Sequence, residues 1–299
     1  MTVFLLSACL QTGDKKATDD QPGNKDGNPY EKENFVPITS YDGEGFTLRD
    51  SSSKVKKIIE KEEAAITKAV EAFFVKEYDT AVEVHHIAAA KDAASVYVGS
   101  KEAPYFYTFA IVPVDFKNKE VKMGDVWTKE GEVEGGIGGG LYAMAYEEEF
   151  AALDAMLEDL AEAYPIVGSP QKVIERVKGN GYTTPYYFIS PFGQVFKDAY
   201  GMYEENPDRP IEEWRELFES RPLEDGTVSV GVEFYMEEEG TEPSEEIFSF
   251  MEEKIREADD IPRGEYFLFL NDHYIDKRRG IGKKENTIEL PGAETIMKK

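Results

Sequence analysis

Between residues 54 and 78, apolar side chains recur at Val55, Ile58, Ile59, Ile66, Ala69, Val70, Phe73 and Phe74. Steps of three and four mark one face of an α-helix, and Ser51, Ser52 and Ser53 offer it an N-cap. The pattern then shifts to alternation. Strands are predicted at 81–88, 93–99 and 105–114, the last with Tyr105, Tyr107, Phe109 and Ile111 on one face and Phe106, Ala110 and Val112 on the other, as a central strand requires. Helical spacing returns over 130–164, where Tyr146, Phe150, Leu153, Leu157 and Leu160 form a stripe that Pro165 ends. Shorter helices are predicted at 170–178, 190–204 and 210–220. The final section reads as a strand at 227–236, with Val228, Val230, Val232, Phe234 and Met236 on one face, a helix at 244–258, a strand at 265–270 and a short strand at 287–290. The fold class is therefore α+β. It consists of a long N-terminal amphipathic helix packed on an antiparallel meander, a mostly helical middle and a C-terminal strand-helix-strand section. Residues 35–299 are expected to form a single body or two closely packed lobes dividing near 115–130.

The first 34 residues lack any such periodicity. Val3, Phe4, Leu5 and Leu6 followed by Ser7, Ala8 and Cys9 have the layout of a bacterial lipoprotein processing site, and Cys9 is the only cysteine. Residues 1–8 read as a residual signal peptide; they contain no Lys or Arg and are shorter than a working signal, which points to a start codon further upstream. Residues 9–34 read as a lipidated cysteine and a disordered tether, rich in Gly, Pro, Asp, Asn and Lys. As a flexible coil of about 25 residues the tether would hold the body roughly 25–30 Å from a diacylated Cys9. Two acyl chains make such anchoring stable. The expected location is the extracytoplasmic face of the cell membrane, with the membrane as a partner through the acyl anchor.

Charge narrows the partners. Sixty acidic against 34 basic residues give a net charge of −26, which repels nucleic acid and, by the same reasoning, anionic lipid and wall polymers. Glu147, Glu148 and Glu149, and Glu237, Glu238 and Glu239, read as solvated faces, because calcium loops space their ligands with Gly and Asn. No metal and no cofactor is expected. With Cys9 lipidated no disulfide can form, so the fold rests on its apolar core.

Several blocks carry a resemblance: Tyr41-Asp42-Gly43-Glu44-Gly45-Phe46, Ala89-Ala90-Lys91-Asp92-Ala93-Ala94, Tyr146-Glu147-Glu148-Glu149-Phe150, Leu270-Asn271-Asp272 and, most specific, Lys178-Gly179-Asn180-Gly181-Tyr182-Thr183-Thr184-Pro185-Tyr186-Tyr187-Phe188. Through them the chain is similar to a family of Gram-positive surface lipoproteins catalogued as a domain of unknown function. The resemblance runs from the processing site to the C-terminus. It implies lipidation at Cys9 and brings no catalytic residues.

Candidate chemistry is sparse. His85 and His86 are adjacent on a predicted strand, so alternation sends them to opposite faces and denies them a shared metal; His273 and Asp272 are distant companions. No His-Glu-x-x-His motif occurs. Ser51 and Lys54 have Ser-x-x-Lys spacing without its companion motifs, and capping explains them better. The glycines at 135, 136, 138, 139 and 140 lack a following Gly-Lys-Ser/Thr and read as close packing or a hinge. The candidate binding surface is Tyr182, Thr183, Thr184, Tyr186, Tyr187 and Phe188, where aromatics and hydroxyls suit stacking on a glycan or peptide, unless the rings plug the core. The expected function is a non-catalytic lipoprotein that binds a protein, peptide or glycan. The alternative, a cell-envelope hydrolase using paired carboxylates, requires two acids within about 5–10 Å, one with its pKa raised by burial.

Overall fold

The computed structural model describes residues 29–222, 226–292 and 294–299, so Cys9, the processing site and the tether up to residue 28 lie outside the described residues. The end of the expected disordered tether is instead a helix, α1 (Pro29–Asn34). It is held by the body: the Tyr30 hydroxyl donates to Asp276 at 2.9 Å, and the Lys277 N–H donates to the Asn34 carbonyl at 2.9 Å. The chain then extends as β1 (Phe35–Pro37).

The predicted helix is α2 (Ser53–Tyr78), which buries Val55, Ile59, Ile66, Val70 and Phe74 along one stripe. Of the three serines, Ser52 provides the cap by accepting from the Lys54 N–H at 3.3 Å. The meander is β2 (Val82–Ala89), β3 (Ala93–Ser100) and β4 (Tyr107–Asp115), extended by a two-residue β5 (Glu120–Val121), all antiparallel in sequence order. Its inner face (Val82, Ala94, Val96, Val98, Ala110, Val112) is buried with α2 in one core. The alternation along β2 is broken by a bulge between Val84 and His86. The bulge places both histidines on the outer face, His86 beside Phe46 and Tyr97, His85 beside Gly99 and Tyr107. Strict alternation would have separated them, and one extra residue in the strand removes that separation.

The helical middle comprises α3 (Glu132–Ala145), α4 (Glu147–Ala163), the short β6 (Ile166–Val167), α5 (Gln171–Val173) running into a π-turn at Ile174–Lys178, then β7 (Tyr187–Pro191), α6 (Gln194–Glu205) and α7 (Ile211–Glu219). The predicted helix at 190–204 begins only at Gln194, because β7 occupies the residues before it. The C-terminal section is β8 (Val228–Met236), α8 (Glu245–Glu257), β9 (Gly264–Asn271), β10 (Tyr274–Asp276), β11 (Ile288–Glu289) and β12 (Ile296–Lys298). β8 and β9 pair in parallel across α8, whereas β6 and β7 join β8, and β11 and β12 join β9, in antiparallel. β1 lies beside β10, with Phe35 opposite Asp276. The class is α+β.

Buried side chains from α2, α3, α4, α6, α7, α8 and both larger sheets make one contiguous apolar cluster. A smaller one, Ile38, Tyr41, Val173, Tyr235 and Ile275, lies on the other side of β8. The glycine run lies inside α3 and serves close packing. A Cβ on Gly140 would sit 2.8 Å from Pro104 Cβ and from the Tyr105 carbonyl oxygen, and one on Gly136 2.9 Å from the Phe106 ring; Gly135 has nothing within 4 Å.

This contrast gives a paired prediction. Gly140→Ala should lower stability by about 1–2 kcal/mol, because overpacking outweighs the gain in helix propensity. Gly135→Ala should raise it by up to ~1 kcal/mol. Thermal unfolding of both variants measures the sign, and stabilisation by Gly140→Ala would refute the packing argument.

Candidate functional site

The 179–188 segment is built from the π-turn outward. Gly179 N–H donates to the Ile174 carbonyl at 2.7 Å, closing the turn, and a Cβ at Gly179 would meet that oxygen and the Tyr107 ring at 2.7 Å. Gly181, at φ +63°, exchanges two 2.8 Å backbone hydrogen bonds with Tyr107, which staples the segment to β4. Thr183 Oγ1 donates to the Asn180 carbonyl at 2.9 Å, and Thr184 Oγ1 accepts from the Tyr187 N–H at 3.1 Å. The chain returns with Ile189 N–H donating to the Tyr182 carbonyl at 2.9 Å.

This geometry divides the six candidate residues. Tyr187 is 1% exposed and stacks on Phe150 at 5.8 Å, so it is core. Its hydroxyl is buried beside Tyr182 and Asp154, and burial, then those two groups, push its ionisation far up. Tyr182 and Tyr186 are half-buried, packed on Phe150 and Phe234 respectively. Thr183 and Thr184 are half-buried, and Phe188 is 36% exposed above Gly231, where a Cβ would overlap its ring. Apart from Tyr182, the candidates line a cavity of about 360 Å³, shared with Ser169, Lys178, Asn180, Ser190, Glu233, Arg279 and Ile281.

The cavity floor is charged. Lys178 Nζ is ion-paired with Glu233, and each side chain is 16% exposed. Lys178 also donates to Ser169 Oγ and to the Tyr235 hydroxyl, both at 3.0 Å. Glu233 Oε1 accepts from the Tyr235 hydroxyl at 3.1 Å and from Asn271 Nδ2 at 3.0 Å, and Asn271 Oδ1 accepts from Thr287 at 2.7 Å. Burial alone would depress the Lys178 ammonium; the Glu233 carboxylate and Tyr235 outweigh it and hold its pKa above the usual lysine value. Burial, followed by Glu233, raises the Tyr235 phenol against the opposing pull of Lys178.

One turn closes this floor and opens a second cavity. Gly280 N–H donates to the Asp276 carbonyl at 2.7 Å and Asp276 N–H to the Ile281 carbonyl at 3.0 Å. Gly280, at φ +68°, lies against Val177 and Gly282 against the Tyr235 hydroxyl, both so closely that a Cβ would overlap. On the turn's other side is a cavity of about 980 Å³, also lined by Arg279 and Ile281, with Lys32, Phe35, Asp272, Tyr274 and Lys284 among its walls. Lys284 is ion-paired with Asp272 and lies 4.8 Å from the Phe35 ring centroid. The histidines and Arg176 line a third cavity of about 720 Å³ between α2 and β2, and Phe116 and Trp127 a fourth of about 670 Å³ on the outer face of the meander.

The hydrolase alternative calls for paired carboxylates, one with its pKa raised by burial. Among the described carboxylates only Asp154 has its pKa raised, by burial and then by Glu158, with Tyr187 opposing, and it lines none of these cavities. Glu233 is held by Lys178, Asp272 by Lys284, and Asp276 accepts from Tyr30. Glu149 pairs with Arg215, and Glu239 accepts from the Tyr274 hydroxyl at 2.9 Å. No cluster of three potential metal ligands occurs among the described residues.

Sequence reasoning missed Lys178, Glu233, Tyr235 and the 276–282 turn as parts of the site. A signal existed: Glu233 interrupts an otherwise apolar strand, and Lys277, Arg278, Arg279, Lys283 and Lys284 crowd five cations into eight positions of an acidic chain.

The architecture is that of an α+β protein with a polar groove between its larger sheet and two loops. The chain belongs to DUF1672, a family of proteins of unknown function, whose model matches residues 28–298. A crystal structure of a DUF1672 family protein from Staphylococcus aureus subsp. aureus Mu50 matches with a TM-score of 0.72 at 17% identity, covering 89% of this chain and 98% of that one. At that identity the likeness shows the fold alone. A DUF5037 family protein from Ruminococcus gnavus, 19% identical over 70% of this chain and 76% of its own, gives a TM-score of 0.28, too low to carry an argument. No curated protein matches the chain. Among the described residues no helix is long and apolar enough to cross a membrane.

Two predictions follow from the electrostatics. Lys178→Met should destabilise by about 3 kcal/mol by leaving Glu233 buried and unpaired, and adding Glu233→Leu should restore most of the loss; urea midpoints of the single and double variants decide this. His86 is held below the usual histidine value of 6.5 by burial, then by Arg176 and Lys56. The folded state therefore binds this proton more weakly than the unfolded chain, so its contribution is complete above pH 6.5 and is lost as pH falls through the folded value. His86→Gln should flatten that part of the acid loss, read as the difference in urea midpoints between wild type and variant at about pH 7.5 and about pH 5.5.

Proposed function

We propose that this protein is a lipoprotein anchored through Cys9 on the extracytoplasmic face of the membrane, and that its body binds a hydroxyl-rich, glycan-like ligand in the groove beside 179–188. The observation that carries the binding proposal is the 360 Å³ cavity itself. Its walls set the hydroxyls of Ser169, Thr183, Thr184 and Ser190 and the Asn180 amide around the partly exposed Phe188 ring. A ring to stack on and convergent hydrogen-bonding groups are what a sugar requires. The Lys178–Glu233 network keeps the floor rigid, because its members satisfy one another and need no ligand to stay folded.

The anchor proposal draws on the layout of residues 3–9 and on the resemblance to surface lipoproteins. The chain enters the body through α1 and β1, and β1 pairs with β10, which leads into the 276–282 turn. An anchored molecule would therefore carry its groove beside the attachment point of its tether.

Both halves are testable. Expressed from its native upstream region, the protein should fractionate with membranes and start at a diacylated Cys9 by intact mass, whereas Cys9→Ala should be soluble; a wild type that is soluble and unprocessed ends the anchor proposal. For the groove, titration of the full chain with chitotriose should perturb the amide resonances of Thr183, Thr184 and Phe188. Phe188→Ala should weaken that binding roughly tenfold without shifting the melting temperature. Equal affinity of the variant would remove the groove from consideration.

A further inference from the structure

We infer that the ligand of this groove carries an anionic group, phosphate or carboxylate, which Arg279 holds where the two cavities meet; the inference rests on the binding site proposed above and names its ligand class. Arg279 is exposed and, among the described residues, its guanidinium has no hydrogen bond or ion pair. Arg49 and Arg278 share this state, in a chain where acidic residues outnumber basic ones 60 to 34, but of the three only Arg279 lines either cavity. Arg176, Arg209, Arg215, Arg221 and Arg256 each have a carboxylate, and Arg263 donates to the Tyr146 hydroxyl.

Three of the four acids that line the larger cavity with Arg279 are already engaged. In the 980 Å³ cavity Asp272 takes Lys284 and Asn286, Asp276 takes the Tyr30 hydroxyl and the Arg278 N–H, and Glu242 takes Asn286. Lys32 lines the same cavity, again without a partner among the described residues. Among the described residues only the exposed Glu285 of these walls lacks such a donor, so the two unpaired cations, Lys32 and Arg279, outnumber the one unpaired carboxylate. The turn fixes Arg279 in place. Gly280 is pressed on Val177 and Gly282 on Tyr235, so the backbone on either side of Ile281 cannot sink further, and Arg279 and Ile281 line both cavities. A guanidinium offers paired N–H donors that match the two oxygens of a carboxylate or phosphate. A sugar seated against Phe188 and Thr183 would therefore present its anionic substituent at Arg279.

The test is heteronuclear NMR of the full 299-residue chain, titrated separately with glucuronate, inorganic phosphate and neutral glucose. Glucuronate or phosphate should saturably shift the amides of Arg279, Gly280, Ile281 and Gly282, more weakly as NaCl is raised, whereas glucose should leave Arg279 unmoved. R279Q should bind the anion at least about tenfold more weakly with an unchanged melting temperature, because the side chain it replaces has no structural partner. R279K should retain part of the affinity. R278Q is the control: Arg278 lines neither cavity, so it should bind as the wild type does. An R279Q titration equal to wild type overturns the inference. So does an equal loss in R278Q, which would mean diffuse attraction without a site. If chitotriose perturbs Thr183, Thr184 and Phe188 while no anion reaches Arg279, the groove stands and only its anion specificity falls; if neither probe binds, both fail together.

Discussion

Strand β8 is covered on both faces, and the second covering is polar. Val228, Val230, Val232, Phe234 and Met236 enter the main core, so alternation sends Ser229, Gly231, Glu233 and Tyr235 the other way. A carboxylate and a phenol in that position must be paired, because an isolated buried charge costs several kcal/mol. Lys178 supplies the pair, and it can do so only from the end of the π-turn at Ile174–Lys178. From this one requirement the rest of the groove follows. Gly179 has to turn sharply against Tyr107, Gly181 ties the segment to β4, and Phe188 is laid across Gly231. On the far side, Gly280 and Gly282 let the 276–282 turn close over Val177 and Tyr235.

A buried ion pair is poor evidence for stability, since well-packed apolar residues often serve as well. Its consequence here is positional. The network joins the end of the π-turn, two residues of β8, the end of β9 and the loop before β11 through Thr287. An apolar replacement would fill the volume without fixing how these four segments meet. The groove between them is therefore as well defined as the strands it rests on.

The elements with long, consistent periodicity were legible in the sequence. α2 spends 26 residues on one stripe and β8 nine on one alternation, so each pattern repeats often enough to outweigh local noise. β10 and β12 are three residues each, too short for any period, and they exist because β1 and β9 offer free edges, whereas the two residues of β11 lie within the strand expected at 287–290. β7 was missed for a related reason: it is bounded by Pro185 and Pro191, and its five residues pair with a strand some 40 positions later. The paired histidines defeated the argument from alternation because a bulge is a property of the pairing, invisible in either strand alone. For the candidate site, the composition of 182–188 pointed to the right place but could not sort its rings. Tyr187 and Phe188 are neighbours in a strand, so one faces the core and the other the groove, and only the register decides which.

Net charge was the feature most easily over-read. A charge of −26 argues against polyanionic partners if it is spread evenly and felt at long range. At physiological ionic strength exposed charges are screened beyond about 8 Å, so a ligand in a groove responds to the side chains around it more than to the total. Those side chains have been sorted by pairing. Apart from the exposed Glu285, the acids of the larger cavity accept from Lys284, Asn286 and Tyr30, which leaves Lys32 and Arg279 as the groups with unspent donors. An acidic surface around such a groove also works in its favour. It keeps diffuse polyanions from accumulating on the molecule, so that an anionic ligand gains only where its shape brings its charge to Arg279.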